Sequence, residues 1–171
     1  NEEALIEQAK STFENVIVII NSSHAFELGF IDNADGSASD PTATGDIDAC
    51  LWVGAPGSGL EAVADIVAGE VNPSGHLPDT YAYDLTSAPS YYNFGDYAYE
   101  NVPISYSFFG QNTDSYLHYV YYQEGIYVGY RYYETRFIGT DNAYTDEEEA
   151  AYREVVQFPF GYGMSYTTFD Q

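Results

Sequence analysis

Residues 46–85 read DIDACLWVGAPGSGLEAVADIVAGEVNPSGHLPDTYAYDL, and this stretch decides the fold. ACLWVG (49–54) is a short apolar run, which predicts a buried strand. SGLEAVADIVAG (58–69) places Leu60, Val63, Ile66 and Val67 on one helical face, and Gly69 supplies a stop signal. NPSGHLP (72–78) then breaks the pattern: its prolines fix φ and its glycine permits a sharp turn. Upstream, EEALIEQAKSTFE (2–14) has apolar residues at Leu5, Ile6, Ala9 and Phe13, a helical spacing. VIVII (16–20) is an unbroken β-branched run, which predicts a strand buried on both faces, as in a parallel sheet.

The order helix, strand, long polar loop, strand, helix predicts an α/β fold. We expect an open, mostly parallel sheet with flanking helices, an α/β sandwich, with Val16–Ile20 and Ala49–Val53 as neighbouring central strands. Residues 1–85 form this partial sandwich, and residues 86–171 a Tyr-rich extended or irregular segment leading out of it towards a following domain. Residues 79–123 show few clear periods. GIYVGYRYYE (125–134) alternates well enough to predict a strand. TDEEEAAYRE (145–154) predicts a helix capped by Thr145, with acids in its first turn. VVQFPFGYGMSYTTF (155–169) reads as extended, broken by Pro159, Gly161 and Gly163, and there is no internal repeat.

The chain has 171 residues, 45% of them hydrophobic, enough for a packed core. Four Lys and Arg stand against 27 Asp and Glu, a formal charge of -23. That charge repels phosphates and anionic lipid, which argues against nucleic acid or a membrane surface as partner and favours a neutral substrate. The longest apolar run, Val16–Ile20, is far too short to span a bilayer. The chain opens on NEEALIEQAK, which reads as mid-domain, so a piece of a longer protein without its own signal peptide is expected. Its compartment is left open, whether secreted, cell-surface or cytoplasmic. The single cysteine, Cys50, sits in an apolar run and reads as core.

Several motifs fail their own tests. Gly57-Ser58-Gly59-Leu60-Glu61-Ala62 fits the relaxed dinucleotide fingerprint. However, Glu61 would set a negative charge against the pyrophosphate, and Asp79 lies in a loop rather than at a strand end. The bland alternative is a tight strand-to-helix turn, at the edge where α/β sheets bind ligands. DNADGSASD (32–40) resembles a calcium loop but misses the ligand template, since Ile31 would hold its first position. His24, His76 and His118 have no zinc spacing, and Ser22-Ser23-His24 lacks a nucleophile elbow, so its serines read as turn caps. No metal or cofactor is expected.

Taken together, four runs resemble the C-terminal α/β-sandwich domain of glycoside hydrolase family 3, the β-glucosidase-type enzymes. They are VIVIINSSHAFELGF (16–30), the quoted stretch (46–85), EGIYVGYRYYE (124–134) and FPFGYGMSYTTF (158–169), in the family's order. His76 stands where the family usually has a basic residue, and Met164 where it has Leu. The resemblance implies a retaining hydrolase of O-glycosidic bonds, acting on a β-linked oligosaccharide or glucoside without cofactors. It also implies that the nucleophilic Asp belongs to a separate (β/α)8 barrel and that the acid/base Glu precedes Asn1, so no catalytic residue is assigned here. This chain would then brace the barrel and wall the active site; the alternative is a stand-alone carbohydrate-binding or interaction module using the tyrosine-rich half. Weak candidates for substrate contact are Glu27, just beyond the first strand, with Glu124 and Arg131 around GIYVGYRYY. Arg131, one of four basic residues, is expected to find a carboxylate partner, and a structural Arg–Glu clamp is the favoured reading over a sugar contact.

Overall fold

The structure is a computed structural model that describes residues 2–31, 47–95, 97–138 and 144–167; the calcium-like run 32–40 lies outside them. Strands β1 (Ile17–Ile20) and β2 (Ala49–Trp52) pair in parallel, from Ile17 opposite Ala49 to Ile20 opposite Trp52. The pairing runs on at both ends, through Asp48 N to the Val16 carbonyl (2.9 Å) and Val53 N to the Ile20 carbonyl (3.0 Å). Asp48 also accepts the Val16 N–H on its carboxylate at 2.6 Å, which fixes where the ladder starts. Helix α1 (Glu2–Thr12) precedes the pair and α2 (Leu60–Val67) follows it, as the hydrophobic spacing predicts.

Beyond this pair the expected mostly parallel sheet is not what the described strands form. They make three two-stranded sheets, one parallel and two antiparallel. The reason is connectivity: a parallel neighbour needs a crossover of a dozen or more residues, while the later strands are joined by a tight turn or meet from opposite directions. The first strand is also not covered on both faces. Ile20 is buried with Leu28, Ile31, Ile47 and Tyr81 in the main core, while Ile17 and Ile19 are 46% and 49% exposed. The same openness reaches Leu5 on α1, Phe13 just after it, and Leu60 on α2, all of them exposed.

The tyrosine-rich half holds more order than its sequence suggests. Strands β3 (Tyr81–Ala82) and β6 (Val156–Phe158) pair antiparallel over a second small core of Ala82, Tyr133 and Val156. Between them, after the short helix α3 (Pro89–Asn93), runs a hairpin of β4 (Tyr97–Phe108) and β5 (Gln111–Tyr119). Phe109 and Gly110 close it, both at positive φ (49° and 78°), the handedness a two-residue hairpin turn needs. The predicted strand at 125–134 is instead a turn followed by α4 (Tyr130–Arg136). Gly125 and Gly129 take positive φ there, which interrupts an extended run, and the helix that follows buries Tyr133. Helix α5 (Asp146–Val155) forms as expected, with Thr145 and Glu148 closing a reciprocal capping box.

The chain then returns to its connector. Leu77 N donates to the Tyr162 carbonyl (2.8 Å), Gly161 N to the Leu77 carbonyl (2.9 Å), and His76 Nδ1 to the Gly161 carbonyl (2.8 Å). The Asn72 side chain accepts from Ser165 Oγ (2.9 Å) and Tyr166 N (2.8 Å) and donates to Thr167 Oγ1 (3.0 Å). Tyr166 Oη donates to the Ile66 carbonyl at the end of α2 (2.7 Å). NPSGHLP and FPFGYGMSYT are therefore two halves of one clasp, and the connector's role is architectural.

Candidate functional site

Both parallel strands end at a cleft of about 870 Å³. This is the edge at which α/β sheets place ligand sites, because loops diverge there. Trp52, the last residue of β2, forms one wall. Its indole Nε1 donates to the Ser22 carbonyl at 2.8 Å, which sets the ring plane. Gly54 lies against that ring: a Cβ there would stand 3.5 Å from Trp52 Cζ2, and its φ of +62° also suits glycine. Tyr91 and Phe94, on and just after α3, give an exposed aromatic rim, while buried Tyr133 closes the cleft from α4.

The polar lining is sparse. His24 comes from the loop after β1, where Ser22 Oγ accepts the His24 N–H and donates to the His24 carbonyl, a local turn of the kind expected of that serine. Asp79 and Thr80 come from the end of the connector. Asp79 Oδ1 accepts the Thr80 N–H at 2.8 Å. Thr80 is 4% exposed, and its Oγ1 has no hydrogen-bond partner among the described residues. Among the described residues, Asp79 is the one acidic side chain in the lining. Burial raises the Tyr81 phenol, with the Asp79 charge adding to the rise. Burial also raises Tyr133, against the opposing bond to Ser87 Oγ at 3.0 Å. Both phenols therefore stay neutral near pH 7 and offer O–H groups, not charge.

The three expected contact residues stand beside this cleft without lining it. Glu27 Oε1 accepts the Leu85 N–H at 3.0 Å and so anchors the wall segment that begins there. Glu124 accepts from the Asn93 side chain at the end of α3, and its other oxygen is shut off without a partner among the described residues. Arg131 forms no carboxylate pair among the described residues; its guanidinium lies 5.2 Å from the centre of the Tyr130 ring. The expected Arg–Glu clamp is thus absent there, because a helix rather than a strand sets the side chain beside its aromatic neighbour. Asp79, Thr80 and Trp52 were not singled out as site residues from the sequence. The signal available was their position directly after strands or the connector, at the ligand-binding edge.

Among the described residues no group of three or more His, Cys, Asp and Glu could hold a metal ion. No described helix is long and apolar enough to cross a membrane.

A parallel strand pair between two helices in sequence, with a cleft at its carboxyl edge, defines a domain of the α/β class. The chain belongs to glycosyl hydrolase family 3: the profile of that family's C-terminal domain matches residues 1–130. It is 31% identical over 170 residues to a β-glucosidase of Ruminococcus albus, covering 99% of this chain and 13% of that protein. It is 34% identical over 168 residues to β-glucosidase A of Butyrivibrio fibrisolvens, covering 98% of this chain and 15% of that one. A solved β-glucosidase structure from Paenibacillus barengoltzii superimposes with a TM-score of 0.60 at 32% identity, over 98% of this chain and 14% of its own. The chain thus spans about one seventh of the length of these relatives.

Proposed function

We propose that this chain serves a retaining glycoside hydrolase of β-glucosidase type, as the part of the sandwich domain that braces the catalytic (β/α)8 barrel and walls its active site. The observation that carries this is the family match over residues 1–130, joined to a cleft at the carboxyl edge of the parallel pair. A β-linked oligosaccharide or glucoside is the substrate class. The chemistry, attack by one carboxylate and protonation of the leaving oxygen by another, falls to groups outside this chain.

Within this proposal β1 and β2 are two strands of a larger, mostly parallel sheet. The exposed Ile17 and Ile19, with Leu5 on α1 and Phe13 just after it, support it, since apolar side chains so arranged need cover. Residues 1–85 are the sandwich portion. Residues 86–171 carry the long hairpin and lead towards a following domain, their last stretch fastened to the connector of the first half. The test is turnover of a chromogenic β-glucoside by the purified chain. No turnover above the blank is expected, and a rate normal for a glycosidase overturns the assignment of catalysis to the barrel.

A further inference from the structure

We propose that a second copy of this chain docks on the aromatic patch formed by Tyr91, Tyr92, Phe94, Tyr97, Tyr99 and Tyr119, so that two copies pair about a two-fold axis. The inference stands apart from the hydrolase reading. The patch runs without a break from α3 to the base of the β4–β5 hairpin. Tyr91 and Tyr92 meet edge to face with ring centres 5.4 Å apart. Tyr97 Oη donates to the Tyr92 carbonyl at 3.2 Å and so ties the hairpin to α3. The Tyr97 ring stacks on Tyr119 at 5.6 Å, and Tyr119 meets Tyr99 at 4.7 Å. Phe94, which ends α3, stands with Tyr91 at the cleft rim. These six side chains are 38–75% exposed, and a continuous aromatic surface of that kind marks an interaction site.

The chemistry of the patch names its occupant. The other open apolar positions, Ile17, Ile19 and Leu5, are aliphatic and gain only from burial inside a fold. The patch is mostly tyrosine, whose hydroxyl stays hydrated while its ring covers a partner. That composition suits contact between molecules that fold separately, where tyrosine is enriched. None of the six side chains is charged, so charge complementarity calls for an uncharged partner surface. With 27 acidic residues against four basic ones, two copies repel over most of their surfaces, and this neutral patch lets them meet without like charges opposed. The area agrees. An aromatic side chain presents roughly 150–250 Å², so six at this exposure leave about 500–800 Å² to cover on each copy. Two copies together bury about 1,000–1,600 Å², which reaches the range of roughly 1,200–2,000 Å² that a specific pair needs. Because both copies offer the same surface, the contact closes on itself as a dimer.

Sedimentation equilibrium of the purified chain tests this. We expect a reversible monomer–dimer equilibrium with a dissociation constant on the order of 10 µM, since the interface is at the small end of its class. Raising the salt from about 0.01 to 0.15 M shortens the screening length from about 30 to 8 Å and should tighten the dimer several-fold, because the net charge opposes it. Tyr92→Asp and Phe94→Asp each set two carboxylates against each other across the axis and should weaken the dimer at least tenfold. Both positions are well exposed, so native circular dichroism is expected, and if one variant misfolds the other decides. Ile17→Thr, on the open face of β1, should leave the equilibrium unchanged. A chain monomeric up to about 1 mM, some two decades above the expected constant, overturns the proposal. So does a dimer untouched by Asp at both positions, or one lost in Ile17→Thr, which would place the contact on the open strand. A dimer dissolved by a barrel-containing polypeptide of the family lacking residues 1–171 also overturns it, since the patch would then be covered within one enzyme. Each of these outcomes leaves the hydrolase reading to its own turnover test.

Discussion

A Cβ added to Gly163 would stand 2.5 Å from the Gly75 carbonyl oxygen and 2.8 Å from His76 Nδ1. The clasp between the connector and the C-terminal stretch closes only because no side chain is present at that point. Gly163→Ala must push two backbone segments apart, and forced overpacking of this kind costs about 1–3 kcal/mol. We expect a cooperative unfolding midpoint several degrees below that of the parent chain; an unchanged midpoint would show that the clasp is loose. This closeness was invisible in the sequence. Gly161 and Gly163 read as breakers of an extended run, and nothing in their spacing named Gly75 as the surface they approach. The core cysteine, by contrast, was legible from its apolar neighbours, and Cys50 lies half-buried in β2.

At the scale of single elements, legibility followed the strength of local signals. Helix α5 was readable because Thr145 and Glu148 cap it from within four residues of sequence. Thr145→Ala removes the acceptor for Glu148 N and should cost about 1 kcal/mol, lowering both stability and the helical circular dichroism signal. No change in either would mean that tertiary contacts alone hold α5. The β4–β5 hairpin was not readable, for two physical reasons. Its turn is Phe-Gly rather than Asn-Gly, and most of its side chains stay exposed, so there is no alternation of apolar and polar positions to detect. Helix α4 was misread because aromatic alternation in GIYVGYRYY mimics a strand, while the backbone turns at Gly125 and Gly129 decide otherwise. The ligand-binding edge was legible from strand order, but the cleft residues were not, since Asp79 and Thr80 reach Trp52 only through the connector's tertiary path.

For the whole molecule, alkaline stability follows from which acids are buried. Burial pushes the Cys50 thiol from an ordinary value near 9 up to about 11, and it raises the Tyr152 phenol, which also donates to Glu134 at 2.6 Å. A group raised in the folded state contributes its stability fully below its ordinary value. That contribution is lost as pH climbs through the folded value, because the unfolded chain releases its proton first. Stability should therefore be level up to about pH 9 and then fall, with Cys50 alone accounting for about 2–3 kcal/mol once pH passes 11. Denaturant melts from pH 7 to 11 check this: in Cys50→Ala the decline should begin later, at the tyrosines. A decline that begins at the same pH in both proteins would remove Cys50 from the explanation.

The central claim is that this chain completes a glycoside hydrolase whose catalytic carboxylates lie elsewhere. The direct measurement is kcat/KM on a chromogenic β-glucoside for a barrel-containing polypeptide of the family lacking residues 1–171, before and after this chain is added. The account predicts a near-silent barrel, a silent chain, and turnover that rises with added chain to saturation. A barrel equally active without the chain, or a chain active by itself, would contradict it.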